Sequence, residues 1–186
     1  MTPPTPHPAD PRANPGGGEP VGTPPPPAEE TPPSRPIAVL DMGASALRLV
    51  VAETPPEGPP RVLEEASRAV ALGKDAFTSG RLGAPAIEAA LRALEGFRRI
   101  MDSYGVVHYR AVATSAVREA LNRDTFLDRV KMRTGIDVEV IDGSEENRLT
   151  YMAVREALRG DETLGGADSL LVEVGGGSAD ISFLRK

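Results

Sequence analysis

Cysteine is absent from the 186 residues, which excludes disulfide staples, thiolate metal sites and a cysteine nucleophile. Histidine is nearly absent: His7 and His108 are the only imidazoles and do not stand at ligand spacing. A resident metal would therefore be a hard, oxygen-bound ion such as Mg²⁺. No apolar run approaches the length of a membrane span, and the N-terminus lacks the apolar stretch of a signal peptide, so a cytoplasmic protein without membrane contact is expected. Positive charge is not in excess either. With a formal net charge of -6, non-specific nucleic-acid binding is not expected, and an anionic ligand would have to be met by local arginines or a metal ion.

Proline is abundant, and it is concentrated at one end. Residues 1–35, with Pro24–Pro27 among them, hold almost nothing to bury and read as a disordered or polyproline-like tail. Pro33-Ser34-Arg35-Pro36 fits a docking motif for an aromatic groove as well as a solvated extension. The remainder is long enough for one good core and the start of a second domain.

Order is expected from Ile37. Ile37–Leu40 and Leu47–Ala52 read as strands joined at Asp41–Ser45, and 61–72 carries a third, giving an antiparallel start to a sheet. Pro85 opens a helix with Ile87, Leu91, Leu94 and Phe97 on one stripe. A strand over 106–112, a short helix over 115–121 and a helix over 124–133 capped by Asn122 follow. Then come a strand over 138–141, a helix N-capped by Ser144 that shows Leu149, Met152, Ala153 and Ala157 on one face, and a hairpin of 169–173 with 180–183. Strands alternating with helices give an α/β domain with helices packed on a mixed sheet.

Two segments share one phrase, a short apolar strand, an acid and then glycine: Ile37–Gly43, with Asp41, and Leu170–Ser178, with Glu173 and Gly175-Gly176-Gly177. An acid at a strand end can hold a metal-bound water, and glycines let backbone N–H groups close around phosphate. An ordinary tight turn accounts for either copy taken singly. Glu145 and Glu146 open a helix directly after a strand, where first-turn acids favour the helix dipole and where a general base could also activate water. Arg118 follows another strand in Thr114–Ala120; it suits a phosphate oxygen or an ion pair with a neighbouring acid, and Arg48, Arg68 and Arg148 share that ambiguity.

In this order, Asp41–Leu49, Ala113–Ala120 with Asn122, Ile141–Leu149 and Val172–Ser178 resemble the exopolyphosphatase and guanosine pentaphosphate phosphatase (Ppx/GppA) family of the actin-like ATPase superfamily. The resemblance implies an actin-like (ribonuclease H-like) fold, with residues 36–168 as the family's N-terminal domain and 169–186 as the first hairpin of a truncated second one. It implies release of terminal phosphate from polyphosphate or pppGpp, with Mg²⁺ or another divalent cation as cofactor. It places Glu146 on the general base, Asp41 and Glu173 on the acids that approach the metal, and Arg118 on a phosphate-binding arginine. The loops with Gly43, Ser45 and Arg48, and with Gly175, Gly176, Gly177 and Ser178, fall on phosphate-binding turns. Two departures stand out: Ala44-Ser45-Ala46 replaces the family's Ser-Asn-Ser, and Glu173 stands where the family has aspartate. A hairpin left with an apolar face is expected to pack loosely or to mediate association, with a homodimer as one outcome. A non-catalytic phosphate-binding or interaction module of the same fold is the alternative.

Overall fold

The computed structural model describes residues 1–2, 35–159 and 168–185. The expectation of a disordered tail therefore falls almost wholly outside the described residues, as does the junction before the last hairpin.

Three strands run in sequence: β1 (Pro36–Met42), β2 (Ala46–Glu53) and β3 (Arg61–Ala69). They are antiparallel neighbours, with Asp41 opposite Arg48 and Leu47 opposite Arg68. Alternation sorts β2 cleanly, since Leu47, Leu49 and Val51 are buried while Arg48 points out. Beyond β3 the chain forms helix α1 (Leu72–Ser79), not the continuing strand expected to residue 72. Sequence periodicity does not announce α1, because it is short, contains Gly73 and has no side-chain cap.

Helix α2 (Ala84–Ser103) has Pro85 in its first turn, where the missing N–H costs nothing, and buries Ile87, Leu91, Leu94, Phe97 and Met101 along the expected stripe. After β4 (His108–Ala113) come α3 (Ser115–Arg118) and α4 (Arg123–Thr134), which ends at Gly135 in the left-handed conformation, φ 69°. Asn122 holds the N-cap position of α4, but its side chain makes no capping hydrogen bond. Its amide clasps Leu82 instead, accepting from the Leu82 N–H at 2.8 Å and donating to the Leu82 carbonyl at 3.0 Å, so it pins the α1–α2 connection. The short β5 (Glu139–Val140) leads to α5 (Gly143–Ala157). Asp142, not Ser144, is the N-cap of α5, its carboxylate accepting from the Glu145 N–H at 2.8 Å.

The main sheet has the order β3-β2-β1-β4-β5, with β4 parallel to β1 and β5 parallel to β4. Helices flank this mixed sheet, and Phe97, Phe126, Leu40, Leu49 and Leu94 lie at the centre of the core. Register then decides where chemistry gathers. Met42 stands beside Ala113 and Ala113 beside Val140, so β1, β4 and β5 all end at one sheet edge. The loops at 43–45, 114–115 and 141–142 must therefore emerge together, at the carboxyl edge where open α/β sheets collect ligands.

The hairpin β6 (Ser169–Val174) and β7 (Ala179–Leu184) forms a separate two-stranded sheet. Its pairs Leu170–Phe183 and Val172–Ile181 share one face, and all four residues are exposed. Glu173 and Asp180 are paired on the other. Helix α5 buries no residue at all, so its apolar stripe, with Met152 exposed, is equally uncovered.

Candidate functional site

A cavity of about 540 Å³ opens where the carboxyl edge of the main sheet meets the hairpin. Asp41, Gly43, Ser45 and Arg48 line it from the first loop and its flanks, Glu146 from α5, and Glu173 with Gly175, Gly176, Gly177 and Ser178 from the hairpin. Ten of the site residues expected from the sequence are thus brought to one cavity. Arg118 does not line it; it borders a smaller depression beside Arg123, Asp124 and Asp142.

The two loops close in the same way. The Gly43 N–H donates to the Ala46 carbonyl at 3.1 Å, and the Gly175 N–H donates to the Ser178 carbonyl at 2.8 Å. Each glycine therefore spends its own amide on the turn. Among the described residues, no acceptor is found for the N–H groups of Ala44, Ser45, Gly176 and Gly177, which makes these the amides available to an anion. None of the four loop glycines has positive φ, so their need for glycine is not conformational. At two of them it is steric: a Cβ on Gly176 would collide with the Ser45 side chain, and one on Gly177 with the ring of Phe77. The loops lie against each other as only glycine permits.

Helix α1 braces that arrangement. The Gly73 N–H donates to the Ala44 carbonyl at 2.9 Å, while Phe77, one turn on, reaches the second glycine loop. Phe77 was not singled out from the sequence, because the helix that carries it was not.

Glu146 sits in the first turn of α5, its side chain only 18% exposed. Arg118 stands behind it: Nη1 donates to Glu146 Oε2 at 2.9 Å and to the Ile141 carbonyl at 3.0 Å. The guanidinium thereby ties the carboxylate to the end of β5. Glu145, on the same turn, is taken by Arg148 and Arg110. The Arg148 hydrogen bonds, outweighing partial desolvation, pull its carboxyl down to about 2. The adjacent acids are thus divided, one committed to surface pairing and one facing the cavity.

Asp41 and Glu173 approach from the ends of β1 and β6. Burial raises the Asp41 pKa, Arg48 at 3.3 Å opposes that shift, and the Glu173 charge adds to it. Glu173 accepts from the Thr150 hydroxyl at 2.7 Å. Thr150 lies four residues after Glu146, on the same face of α5, so helical spacing from Glu146 was the signal that could have found it. Among the described residues no cluster of three or more His, Cys, Asp or Glu is present. Two facing carboxylates do fit a Mg²⁺-type ion that keeps waters and takes further oxygens from a substrate phosphate, rather than one enclosed by protein.

An α/β domain whose mixed sheet presents paired glycine loops and a carboxylate-bearing helix at one edge is of the actin-like type. Residues 50–186 match the Ppx/GppA phosphatase family, and the chain belongs to that family. Exopolyphosphatase 1 of Mycobacterium tuberculosis is 30% identical over 146 residues, covering 78% of this chain and 41% of that protein. The exopolyphosphatase of Cytophaga hutchinsonii superposes with a TM-score of 0.74 at 36% identity, covering 81% of this chain and 47% of the other. The Ppx/GppA family member of Aquifex aeolicus gives a TM-score of 0.69 at 33% identity, covering 82% and 48%. The chain spans less than half the length of these relatives.

Proposed function

We propose that the chain carries a phosphate-releasing site that acts on the terminal phosphoanhydride of polyphosphate, with pppGpp as the competing substrate. The observation that carries this reading is the placement of Glu146 on the wall of a cavity whose other walls are the two glycine loops. A terminal phosphoryl group held by the free N–H groups of those loops would lie within reach of a water on Glu146. That water attacks the phosphorus in line, its proton passes to Glu146, the P–O bond to the shortened chain breaks, and orthophosphate leaves. Arg48 is positioned to take up charge on the phosphoryl oxygens. Asp41 and Glu173 would hold a divalent cation, which when bound neutralises phosphate charge. Arg118 is assigned to this site through Glu146, as the group that fixes its orientation.

The domain division follows the same reading: residues 36–168 form the N-terminal domain and 169–186 open a second. The outward apolar face of the hairpin supports a second reading, a phosphate-binding module whose cleft is completed by association, a second copy of the chain being the simplest partner. No helix among the described residues is long and apolar enough to cross a membrane, and a cytoplasmic setting suits both readings.

The test is phosphate release from polyphosphate and from pppGpp with Mg²⁺, for the chain and its Glu146→Gln variant. Release that the substitution abolishes supports the hydrolase. Equal inactivity in two folded proteins leaves the binding module.

A further inference from the structure

Away from the cleft, the outer face of α2 and the edge strand β3 enclose a groove of about 390 Å³ whose cationic lining is Arg68, Arg92 and Arg99. Arg92 and Arg99 are two helical turns apart with Gly96 between them, so all three positions share one face of α2. Nothing but the Arg99 guanidinium, at 3.9 Å, lies near where a Gly96 side chain would be, which leaves the floor of the groove open. Phe97 and Ile100 form its apolar back wall.

Three like charges in one groove repel one another, and an acidic chain has ample carboxylates to relieve them. Among the described residues none is supplied. Every acid of α2 is committed elsewhere: Glu88 to Arg129 and Arg133, Glu95 to Arg133, and Asp102 to Arg98. On β3, Glu64 accepts from the Tyr104 hydroxyl at 3.1 Å, and Glu65, three residues from Arg68, lies on the opposite face of the strand. Among the described residues Arg68 donates to the Ser67 carbonyl, at 2.8 Å, and none of Arg68, Arg92 and Arg99 has an ion-pair partner. Most other described arginines are ion-paired, as Arg48, Arg61, Arg110 and Arg148 are.

From this arrangement we infer that the β3–α2 groove is a second anion site, taking consecutive phosphoryl groups of an oligophosphate chain. Guanidinium forks spaced along a groove suit successive tetrahedral anions better than one isolated charge. The groove also begins beside the cleft. Arg68 is two residues from Val70, about 7 Å along the strand, and the Val70 N–H donates to the Ser45 carbonyl of the first loop at 2.9 Å. The identity of the ligand rests on the polyphosphate reading; the presence of an anion site does not.

Calorimetric titration with sodium tripolyphosphate tests it, using the full chain in a Glu146→Gln background so that hydrolysis does not intervene. Two binding equivalents are expected. Arg92→Gln with Arg99→Gln should remove one of them or weaken it at least tenfold, and Arg68→Gln, which leaves the helix untouched, should weaken it several-fold. Arg81→Gln with Arg123→Gln makes the same charge change elsewhere and should leave both equivalents intact. Unchanged binding in the Arg92/Arg99 variant overturns the site, whatever the hydrolysis assay gives. Loss of equal size in the Arg81/Arg123 control would reduce it to net charge and overturn it too. Orthophosphate binding the groove as tightly as tripolyphosphate would overturn the assignment to a phosphate chain.

Discussion

Arg118 Nη1 lies 2.9 Å from Glu146 Oε2 and 3.0 Å from the Ile141 carbonyl, so one guanidinium holds the carboxylate of α5 to the end of β5. Lysine keeps the charge, but its ammonium sits on a shorter stem and does not reach the place where Nη1 meets both acceptors. Arg118→Lys should lower kcat by about 10²-fold through misplacement of Glu146, with KM for polyphosphate nearly unchanged. Combined with Glu146→Gln it should lower kcat little further, because both changes disable one unit. Steady-state kinetics on the four proteins of that cycle check this; a large rise in KM with kcat preserved would make Arg118 a direct phosphate ligand instead.

Thr150 holds Glu173 at 2.7 Å from a position one turn beyond Glu146. Glutamate is one methylene longer than aspartate and has more rotamer freedom to lose, and the hydroxyl restricts it. Thr150→Val, nearly isosteric, should weaken Mn²⁺ binding about 3- to 10-fold, the ~1 kcal/mol expected of one hydrogen bond. Thr150→Ser should restore it. Mn²⁺ titration followed by electron paramagnetic resonance reads the binding without reference to turnover.

Two acids of the same region respond to pH in opposite directions. Asp41 is raised from its ordinary 3.8, chiefly by burial, so it favours the folded state below that value and loses that contribution as pH rises through its folded pKa. Asp41→Asn should therefore raise Tm at pH 7 relative to the native chain, with the gain vanishing below pH 3.8. Glu145 is lowered from 4.5 to about 2, first by its hydrogen bonds to Arg148. It supports the folded state above 4.5 and loses that support as pH falls towards 2. Glu145→Gln should lower Tm slightly at pH 7, the difference closing across that window and shrinking in high salt. Thermal unfolding of the three proteins from pH 2.5 to 8 measures both signs.

The main-sheet strands and the long helices were legible because their apolar residues repeat at a period that survives without tertiary context: Leu47, Leu49 and Val51 alternate, and Ile87, Leu91 and Leu94 follow a helical stripe. The cavity-lining residues were legible as motif blocks, since each block lies at or just after the end of a strand. The partners were not. Arg118 and Glu146 are 28 residues apart, and only the parallel pairing of β4 with β5 brings their helices together. Asn122 has the right chemistry for a cap, but the Leu82 backbone offered its amide both a donor and an acceptor, which a helix N-terminus does not. Helix α1 was missed because it depends on contacts to Ala44 and to the second glycine loop, and eight residues seldom hold a helix without such support.

That dependence gives the last prediction. Phe77 is 42% exposed, yet its ring fills the space that a Cβ on Gly177 would occupy. Gly177 has no positive φ, so alanine there has no dihedral penalty and its effect is a collision with one named side chain. Gly177→Ala should displace the second loop and weaken tripolyphosphate binding at the cleft. Phe77→Leu, which removes the flat ring while keeping an apolar contact, should restore binding in the double variant. Gly175→Ala is the control, because a Cβ there meets nothing closer than the Ser178 carbonyl at 3.5 Å. Binding curves for the four proteins decide it: a loss in Gly177→Ala that Phe77→Leu fails to relieve would mean that the glycine serves the ligand directly and not the seam between α1 and the loop.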